Sequence, residues 1–299
     1  MEHKSGFVAL LGRTNVGKST LVNNLVGEKV AITTRKPQTT RTAIKAIINK
    51  ENAQIILTDT PGIHKPKNKL GQTMVDTSYA SASDVDVVVF LIEATEQGVG
   101  KGDALIVEKI KEIKKPTILV INKIDLIKKE EVLLVIEQYK ELYNFSSIIP
   151  VSAQTGEGTE MVIEEIIKLL PKGPKYFSED EYTDQTTRQM IEEIIREKAL
   201  KLLDQEIPHG IYVEIETMGK KKTKEQEDYY NIEATIYCSR ESHKPIVIGK
   251  KGDMLKKIGT YARQDSEELL GVKVNLKLWV KVKENWQDSD LTLNKFKNQ

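Results

Sequence analysis

The stretch Gly12-Arg13-Thr14-Asn15-Val16-Gly17-Lys18-Ser19 decides the fold of the first half of this 299-residue chain. It matches the pattern GxxxxGKS and lies directly between an apolar run, residues 7–11, and a segment of helical periodicity. In such a loop the glycines let backbone N–H groups surround phosphates, and the following helix N-terminus adds partial positive charge. Lys18 is expected to reach the terminal phosphates and Ser19 to bind Mg²⁺. The sequence therefore predicts a nucleotide-binding domain.

Apolar runs of strand length alternate with segments of helical periodicity from residue 6 to about residue 170. This alternation is typical of a mostly parallel α/β sheet. Strands are predicted at residues 7–11, 42–48, 54–58, 85–92, 117–121 and 147–151, and helices at 99–113 and 129–143. Only a short polar turn separates the second and third strands, so a hairpin is predicted there and one strand of the sheet should run antiparallel.

Three further polar motifs follow predicted strands: Asp59-Thr60-Pro61-Gly62, Asn122-Lys123-Ile124-Asp125 and Val151-Ser152-Ala153. Asp59 suits the Mg²⁺ shell, and the N–H of Gly62 suits a γ-phosphate. The Asp125 carboxylate could accept both N–H groups of guanine, whereas adenine would leave it unpaired. The backbone of Ala153 is expected to meet the guanine oxygen. Because all these motifs follow successive strands at the edge where doubly wound sheets bind ligands, we expect GTP rather than ATP.

The polar loop TTRKPQTTR, residues 33–41, lacks periodicity and offers threonine hydroxyls. One of them is expected to complete the Mg²⁺ shell and close over the γ-phosphate as a switch; Thr40 is preferred and Thr39 is the alternative. The metal ligands are thus predicted as Ser19, Thr40 and Asp59, and the catalytic residues as Lys18, Thr40 and Gly62. The predicted nucleotide contacts are Gly12, Arg13, Thr14, Asn15, Val16, Gly17, Lys18, Ser19, Thr20, Asp59, Thr60, Pro61, Gly62, Ile63, Asn122, Lys123, Asp125, Ser152 and Ala153.

The composition changes after residue 170, where prolines and a glycine break the last helix and a short acidic stretch follows. We predict a first domain at 1–170, a linker at 171–186 and a second domain with a tail at 187–299. In the second domain the pattern predicts a helix at 187–205, strands at 211–217 and 232–238 joined by a charged mobile tip at 220–228, helices at 246–249 and 253–270, and a strand at 272–282.

A GxxG turn, Gly249-Lys250-Lys251-Gly252, lies between the two last helices. Such a loop lets the backbone approach phosphates and clamps about four nucleotides of single strand. The order of elements is that of the prokaryotic-type KH fold, and residues 240–263 hold seven basic against two acidic side chains. A purely structural helix–turn–helix remains the alternative. The predicted RNA-binding residues are Ile248, Gly249, Lys250, Lys251, Gly252 and Lys256.

The chain resembles the Era family of bacterial GTPases from residue 6 to about residue 285. The resemblance rests on the Asn-Val-Gly-Lys-Ser loop, the segment Lys36-Pro37-Gln38-Thr39-Thr40-Arg41 and the GxxG domain. That resemblance implies GTP and GDP as ligands with Mg²⁺, slow GTP hydrolysis, and a KH domain bound to the single-stranded 3′ end of small-subunit ribosomal RNA. It also implies a role in maturation of the 30S subunit, and a monomeric cytoplasmic protein partly associated with the cytoplasmic face of the membrane. The tail after Trp286 resembles the family least and is assigned no role.

The hydrolysis site departs from many small GTPases, because Ile63 stands where a glutamine would orient the attacking water. His64 is adjacent, with a solvent-facing side chain as the simpler interpretation. In related GTPases an asparagine at the position of Asn15 coordinates K⁺, which places positive charge beside the transition state. The resemblance therefore implies K⁺ stimulation and makes Asn15 a further predicted catalytic residue; the alternative is that Asn15 braces the loop by a local hydrogen bond.

Charge and cysteine content exclude some of the remaining classes of protein. With 45 Lys and Arg against 44 Asp and Glu, the net charge of +1 excludes a generally basic nucleic-acid coat. A single cysteine, Cys238, allows no internal disulfide and favours a reduced compartment. Two other classes remain open: an NTP-driven enzyme with a catalytic second domain, and an RNA-binding module with a vestigial nucleotide site. The absence of His and Cys in ligand spacing counts against the first, and the intact phosphate-binding loop against the second.

Overall fold

The protein, described from a computed structural model, divides into two compact units, Met1–Asp184 and Gln185–Gln299. The structure describes residues 2–34, 36, 39–95, 98–203, 207–223 and 226–297. Three residues of the predicted switch loop, Arg35, Pro37 and Gln38, lie outside these ranges.

The first unit is built on a six-stranded sheet of order β2-β3-β1-β4-β5-β6. The strands are β1 Lys4–Leu11, β2 Ile44–Lys50, β3 Ala53–Asp59, β4 Val87–Glu93, β5 Thr117–Asn122 and β6 Ser147–Pro150. Only β2 runs antiparallel, paired with β3 through the short turn that predicted the hairpin. The other neighbours are parallel, so the loops after β1, β3, β5 and β6 emerge at one edge of the sheet.

Helices cover both faces of this sheet, which explains why its central strands are apolar throughout. They are α1 Lys18–Val26, α2 Lys69–Ser83, α3 Lys101–Ile113, α4 Lys129–Lys140 and α5 Thr159–Leu169. Side chains of α1 and α5 join one core cluster, and those of α2, α3 and α4 join the other. The predicted helix at 129–143 thus ends earlier, at Lys140, and α2 had no counterpart among the predicted segments.

The predicted linker packs against the first unit. Residues 171–184, here called the strap, form antiparallel bridges from Lys172 to Lys4 and from Thr183 to Ala46, and the N–H of Ile47 donates to the carbonyl of Tyr182 at 3.0 Å. The structure therefore places the boundary between the units after Asp184, rather than ending the first domain at residue 170. The reason is that the strap supplies partners to β2, an edge strand whose backbone would otherwise be unpaired on one side.

The second unit packs helices on one face of a three-stranded sheet of order β7-β8-β9. Its elements are α6 Thr187–Leu202, β7 Ile211–Lys222, β8 Asp228–Cys238, α7 Lys244–Ile248, α8 Asp253–Leu270, β9 Lys273–Val282 and α9 Asp290–Lys297. β8 is antiparallel to β7 and parallel to β9. This order of helix, strand, strand, helix, helix, strand is the predicted one.

Two details of the second unit differ from the prediction. The paired strands run further than expected, to Lys222 and from Asp228, so both ends of the predicted tip at 220–228 are strand; residues 224 and 225 lie outside the described part of the chain. The tail also contains α9, and Trp286 before it is fully buried, with its indole N–H donated to the carbonyl of Gly210 at 3.0 Å. A buried tryptophan gives the end of the chain an apolar anchor that the sequence pattern did not reveal.

Candidate functional site

A cavity of about 810 Å³ opens at the edge of the first unit where the loops after β1, β3, β5 and β6 emerge. Its lining includes residues from the phosphate-binding loop, the switch loop and the motifs after β3, β5 and β6: Thr14, Asn15, Gly17, Lys18, Ser19, Thr20, Ile32, Thr33, Thr34, Thr39, Thr40, Gly62, Glu93, Asn122, Lys123, Asp125, Leu126, Ala153 and Gln154. The structure thus brings the four predicted motifs together around one space.

The phosphate-binding loop turns into α1 at Gly17, whose φ of 102° is a left-handed conformation that favours glycine. A Cβ at this position would also lie 2.2 Å from Nδ2 of Asn122. No side chain caps the N-terminus of α1, so its first N–H groups remain available to a phosphate.

The Lys18 ammonium is buried beneath this loop and donates to the carbonyls of Gly12 at 3.0 Å and Arg13 at 2.8 Å. Burial lowers the pKa of Lys18 to about 8, although the nearby Asp59 carboxylate works against the shift. A phosphate beside the ammonium would add an attractive charge that the loop carbonyls cannot supply.

The three predicted metal ligands converge in the structure. Oγ of Ser19 lies 2.9 Å and Oγ1 of Thr40 lies 3.2 Å from the same oxygen, Oδ2 of Asp59, and the two hydroxyls lie 3.0 Å apart. The other carboxylate oxygen, Oδ1, is buried and has no hydrogen-bond partner among the residues that the structure describes. Burial raises the pKa of Asp59. Two hydroxyls and a buried carboxylate with an unused oxygen form an oxygen donor set that fits Mg²⁺.

The geometry also favours one of the two candidate threonines. The hydroxyl of Thr39 donates to the carbonyl of Lys36 at 2.8 Å and lies 3.1 Å from that of Thr34, within the loop itself. Thr40, by contrast, is buried against Ser19 and Asp59. The preference for Thr40 over Thr39 is therefore supported by the hydrogen bonds that each makes.

Asn122 connects three of the loops around the cavity by hydrogen bonds. Its Nδ2 donates to the carbonyl of Val16 at 2.8 Å, and its Oδ1 accepts the N–H of Ala153 at 2.9 Å. The Ala153 N–H, expected to meet the guanine oxygen, is therefore already engaged. Asp125 is exposed in a short turn, Ile124–Leu126, that lines the cavity, so its carboxylate is open to a base. Lys123 forms an ion pair with Glu93.

Several residues predicted to contact the nucleotide also make contacts within the protein that hold the loops in place. The Thr60 hydroxyl donates to the carbonyl of Leu10 at 2.6 Å, and the carbonyl of Pro61 accepts the Ser78 hydroxyl at 2.8 Å. Ile63 is buried in the core, and its N–H donates to Gly12 at 3.0 Å. The others outside the lining are Gly12, Arg13, Val16, Asp59 and Ser152.

Gly62 has a steric reason to be glycine, because a Cβ there would lie 2.6 Å from Cγ2 of Thr14. Its carbonyl lies 2.8 Å from Nδ1 of His64, which is partly buried rather than fully solvent-facing. Four lining residues escaped the sequence analysis: Ile32, Glu93, Leu126 and Gln154. Leu126 and Gln154 directly follow predicted contacts, so widening each motif by one residue would have found them.

The GxxG loop in the second unit has the strained backbone that its glycines suggest. Gly249 has a φ of 76°, and a Cβ there would lie 2.6 Å from Cβ of Met254. Gly252 has a φ of 83° and faces open space. Between them Lys250 and Lys251 are exposed, and within the described residues neither forms an ion pair. Two exposed ammonium groups between glycines, one of which leaves open space beside the backbone, suit a phosphate backbone.

A groove of about 390 Å³ continues from this loop between α8 and β9. Its floor is apolar, with Leu255, Leu276 and Leu278, and its rim is basic, with Lys256 and Arg263; Gly252, Gly259 and Thr260 complete it. Of the predicted RNA contacts, Gly252 and Lys256 line this groove. Ile248 packs against the core of the second unit. An apolar floor with a basic rim suits unstacked bases followed by their phosphates.

Known proteins share both halves of this arrangement. A family model described as a 50S ribosome-binding GTPase matches residues 7–123, and a KH domain model matches residues 206–287. GTPase Era of Clostridium kluyveri is 51% identical over 290 residues, with 97% of both chains covered. GTPase Era of Caldanaerobacter subterraneus subsp. tengcongensis is 49% identical over 295 residues, 99% of this chain and 98% of that one.

The chain belongs to the Era family of GTPases. Two solved Era structures agree with it over 98% of each chain: a complex with MgGDPNP and nucleotides 1506–1542 of 16S ribosomal RNA, at a TM-score of 0.94 and 42% identity, and a variant of Aquifex aeolicus Era bound to GDP·AlF₄⁻, at 0.93 and 41%. The predicted family and fold class, a P-loop GTPase domain followed by a KH domain, are confirmed.

The described residues bear on two expectations for the Era family, a metal site and contact with a membrane. Within the described residues, no group of three or more His, Cys, Asp or Glu side chains could hold a metal ion. The candidate Mg²⁺ site is the mixed hydroxyl and carboxylate set of Ser19, Thr40 and Asp59. No helix in the same part of the chain has the length and apolarity needed to cross a membrane.

Proposed function

We propose that this protein binds GTP with Mg²⁺, hydrolyses it to GDP and phosphate, and binds the single-stranded 3′ end of small-subunit ribosomal RNA during maturation of the 30S subunit. One observation supports the nucleotide-binding part of this proposal. A single cavity brings the Ser19–Thr40–Asp59 cluster to the phosphate-binding loop and an open Asp125 carboxylate to the guanine end. The solved Era complex with 16S ribosomal RNA supports the RNA half.

Each part of the nucleotide has a partner in the cavity. The N–H groups at the start of α1 receive the phosphates, and Lys18 exchanges its two carbonyl partners for phosphate oxygens. A bound Mg²⁺ would neutralise charge developing on those oxygens. Asp125 accepts the guanine N–H groups, and Asn122 keeps the base and phosphate ends at a fixed separation because it holds both loops.

The attacking water must be positioned without a hydrogen bond from the side chain at position 63, because Ile63 is apolar and buried in the core. The Gly62 N–H, Thr40 and Lys18 remain as candidate catalytic groups. We include K⁺ in the proposal, held by Asn15, whose exposed side chain lines the cavity. Among the described residues Asn15 makes no side-chain hydrogen bond, which disfavours the bracing role. A cation there would stabilise transition-state charge as an arginine finger does.

Phosphate release from GTP and ATP, with and without Mg²⁺, tests the nucleotide half. We expect the protein to hydrolyse GTP and not ATP, and to do so only when Mg²⁺ is present. Asp59→Asn should abolish it, because the neutral amide keeps the volume but loses the charge that holds the cation. Equal turnover of ATP would refute the assignment to guanine, and no turnover of either would favour a vestigial site.

Binding of a labelled oligonucleotide with the 3′-end sequence of small-subunit ribosomal RNA tests the RNA half. Replacing Lys250 and Lys251 by Asp should weaken binding strongly and reduce its salt dependence, while GTP binding is unchanged. Crosslinking to RNA in cells should enrich the small-subunit 3′ end. Enrichment of large-subunit RNA would overturn the assignment.

The proposal also includes coupling of the two sites, so that RNA affinity differs between the GDP form and the form bound to a GTP analogue. Linkage then requires RNA to change nucleotide affinity by the same factor. Identical RNA dissociation constants in both forms would refute coupling and leave both binding functions intact.

The family resemblance extends the proposal to a monomeric cytoplasmic protein, part of which contacts the cytoplasmic face of the membrane. Light scattering of the purified protein tests the monomer. Flotation with anionic and neutral vesicles tests the membrane contact. If the protein floats with neither kind of vesicle, the membrane contact is refuted and RNA remains as the proposed partner.

A further inference from the structure

The outward face of β9 carries an unusual set of side chains. Every second residue points away from the helices, and these five residues, here called the β9 strip, are Lys273, Asn275, Lys277, Trp279 and Lys281. All five are exposed, and Trp279 keeps 43% of its surface open. The alternate residues, which include Leu276 and Leu278, face the core and the groove beside the GxxG loop.

Lysines on an edge strand have an ordinary explanation, since they discourage pairing with another chain. That explanation does not account for Trp279, a large aromatic side chain left open between two lysines. Lys277 lies 3.6 Å from Glu233 and Lys281 lies 3.7 Å from Glu216, and both lysines are more than half exposed. Long, exposed ion pairs of this kind contribute little, so both lysines can turn to another anion at small cost.

The strip is continuous with the candidate RNA groove. β9 lies at the edge of the sheet, paired on one side with β8, and its other side is free of strands among the described residues. The same strand supplies Leu276 and Leu278 to the groove floor on one face and Trp279 to the strip on the other. A single strand leaving the groove therefore needs only to cross the free edge of β9 to reach the strip.

We propose that the β9 strip is a second binding site for single-stranded RNA, in which a nucleobase stacks on the indole of Trp279 while Lys277 and Lys281 contact the neighbouring phosphates. Aromatic platforms between cationic side chains bind single strands in this way, with little sequence preference. The proposal rests on the proposed RNA binding by the GxxG groove and extends it beyond the four nucleotides that such a loop clamps.

Tryptophan fluorescence gives a direct readout, because the chain has two tryptophans in different environments. Trp286 is fully buried and hydrogen-bonded, whereas Trp279 is exposed. A base stacked on Trp279 should quench its emission. We would titrate the full-length, GDP-bound protein with two oligonucleotides from the small-subunit 3′ end, one of about four nucleotides and one about ten nucleotides long.

Both oligonucleotides should bind, and only the longer one should quench. Trp279→Ala should weaken the longer oligonucleotide by about tenfold and leave the shorter one unchanged. Trp279→Phe keeps a stacking surface and should recover part of the loss. Tyr261→Ala is the matched control, because Tyr261 is similarly exposed in the same unit but lies outside the strip and the groove lining; it should change neither affinity.

The outcomes separate this proposal from the proposed function. Failure of both oligonucleotides to bind would refute RNA binding by the groove and the strip together. Binding of both with equal affinities, no quenching and no effect of Trp279→Ala would overturn the strip and leave the groove intact. Since the Trp279 side chain is exposed, unchanged circular dichroism of each variant would show that a loss of affinity is not a loss of folding.

Discussion

Replacing Gln54 by leucine should release the strap from the first unit. Gln54 is fully buried on β3, and its side chain makes three hydrogen bonds to the strap. Oε1 accepts the N–H groups of Tyr176 at 2.7 Å and Phe177 at 3.0 Å, and Nε2 donates to the carbonyl of Phe177 at 2.9 Å and to Oδ1 of Asn49 on β2 at 2.8 Å. Leucine fills a similar volume and leaves all three strap groups without these partners.

The expected magnitude follows from those three bonds. Each contributes about 0.5–1.5 kcal/mol net, which gives about 1.5–4.5 kcal/mol in total. Because Tyr176 is 51% exposed, water can replace part of the lost bonding, and the lower part of that range applies. A loss of about 1.5–3 kcal/mol raises the local opening equilibrium of the strap by about 10-fold to 150-fold.

Hydrogen exchange measured by mass spectrometry on peptides covering residues 175–184 reports this opening directly. Lys45→Met is the matched control, since it removes only a partly exposed ion pair to Asp184 at 3.4 Å and should change exchange by less than about threefold. If Gln54→Leu leaves strap exchange at the control level, the strap is held by other contacts. If exchange accelerates equally throughout the sheet, the substitution destabilises the unit as a whole and the local reasoning is wrong.

Three shorter predictions concern the two units separately. Asn15→Ala should remove the excess of the GTP hydrolysis rate in K⁺ over that in Na⁺, and equal rates in the unaltered protein would contradict K⁺ use. Asp125→Asn should lower GTP affinity by at least about 100-fold and favour XTP, because the amide can donate to the xanthine oxygen; unchanged preference in competition assays would place the base elsewhere. Burial raises the pKa of Glu192 to about 7, so its carboxylate is costly to ionise and stability should fall between about pH 4.5 and pH 7. Glu192→Gln keeps an acceptor for the N–H of Ile215 and should flatten that fall in urea unfolding curves; an unchanged pH profile would show that Glu192 is not its source.

The alternation of apolar and helical segments was enough to predict the sheets, because burial on two faces forces continuous apolar runs in the central strands of the first unit. It could not predict the strap. Gln54 is a polar residue in a strand and suggests a solvent-facing position, whereas it is buried because the backbone of residues 176 and 177 satisfies it. That pairing joins residues more than 120 positions apart, and no local pattern encodes it.

Motif spacing predicted which side chains meet at the nucleotide site, but it could not assign their individual partners. Thr39 and Thr40 are neighbours with identical chemistry, and only the direction of each hydroxyl separates them. Ile63 shows the same limit: its place next to Gly62 predicts a ligand contact, and motif spacing alone did not predict that its apolar side chain packs in the core beneath the loop.

The nucleotide site buries two side chains of opposite charge, Lys18 and Asp59, and burial disfavours the charged form of each. Burial lowers the pKa of Lys18 and raises that of Asp59, and their mutual attraction offsets these shifts only in part. Lys18 is satisfied by two loop carbonyls, and Asp59 retains one buried oxygen that has no partner within the described part of the chain. A phosphate beside Lys18 and a cation beside Asp59 would each stabilise the charged form of its neighbour. Binding of a magnesium nucleotide is therefore favoured by new contacts and also by relief of a desolvation cost that the fold already bears, which explains how a site with so few charged side chains suits a highly charged ligand.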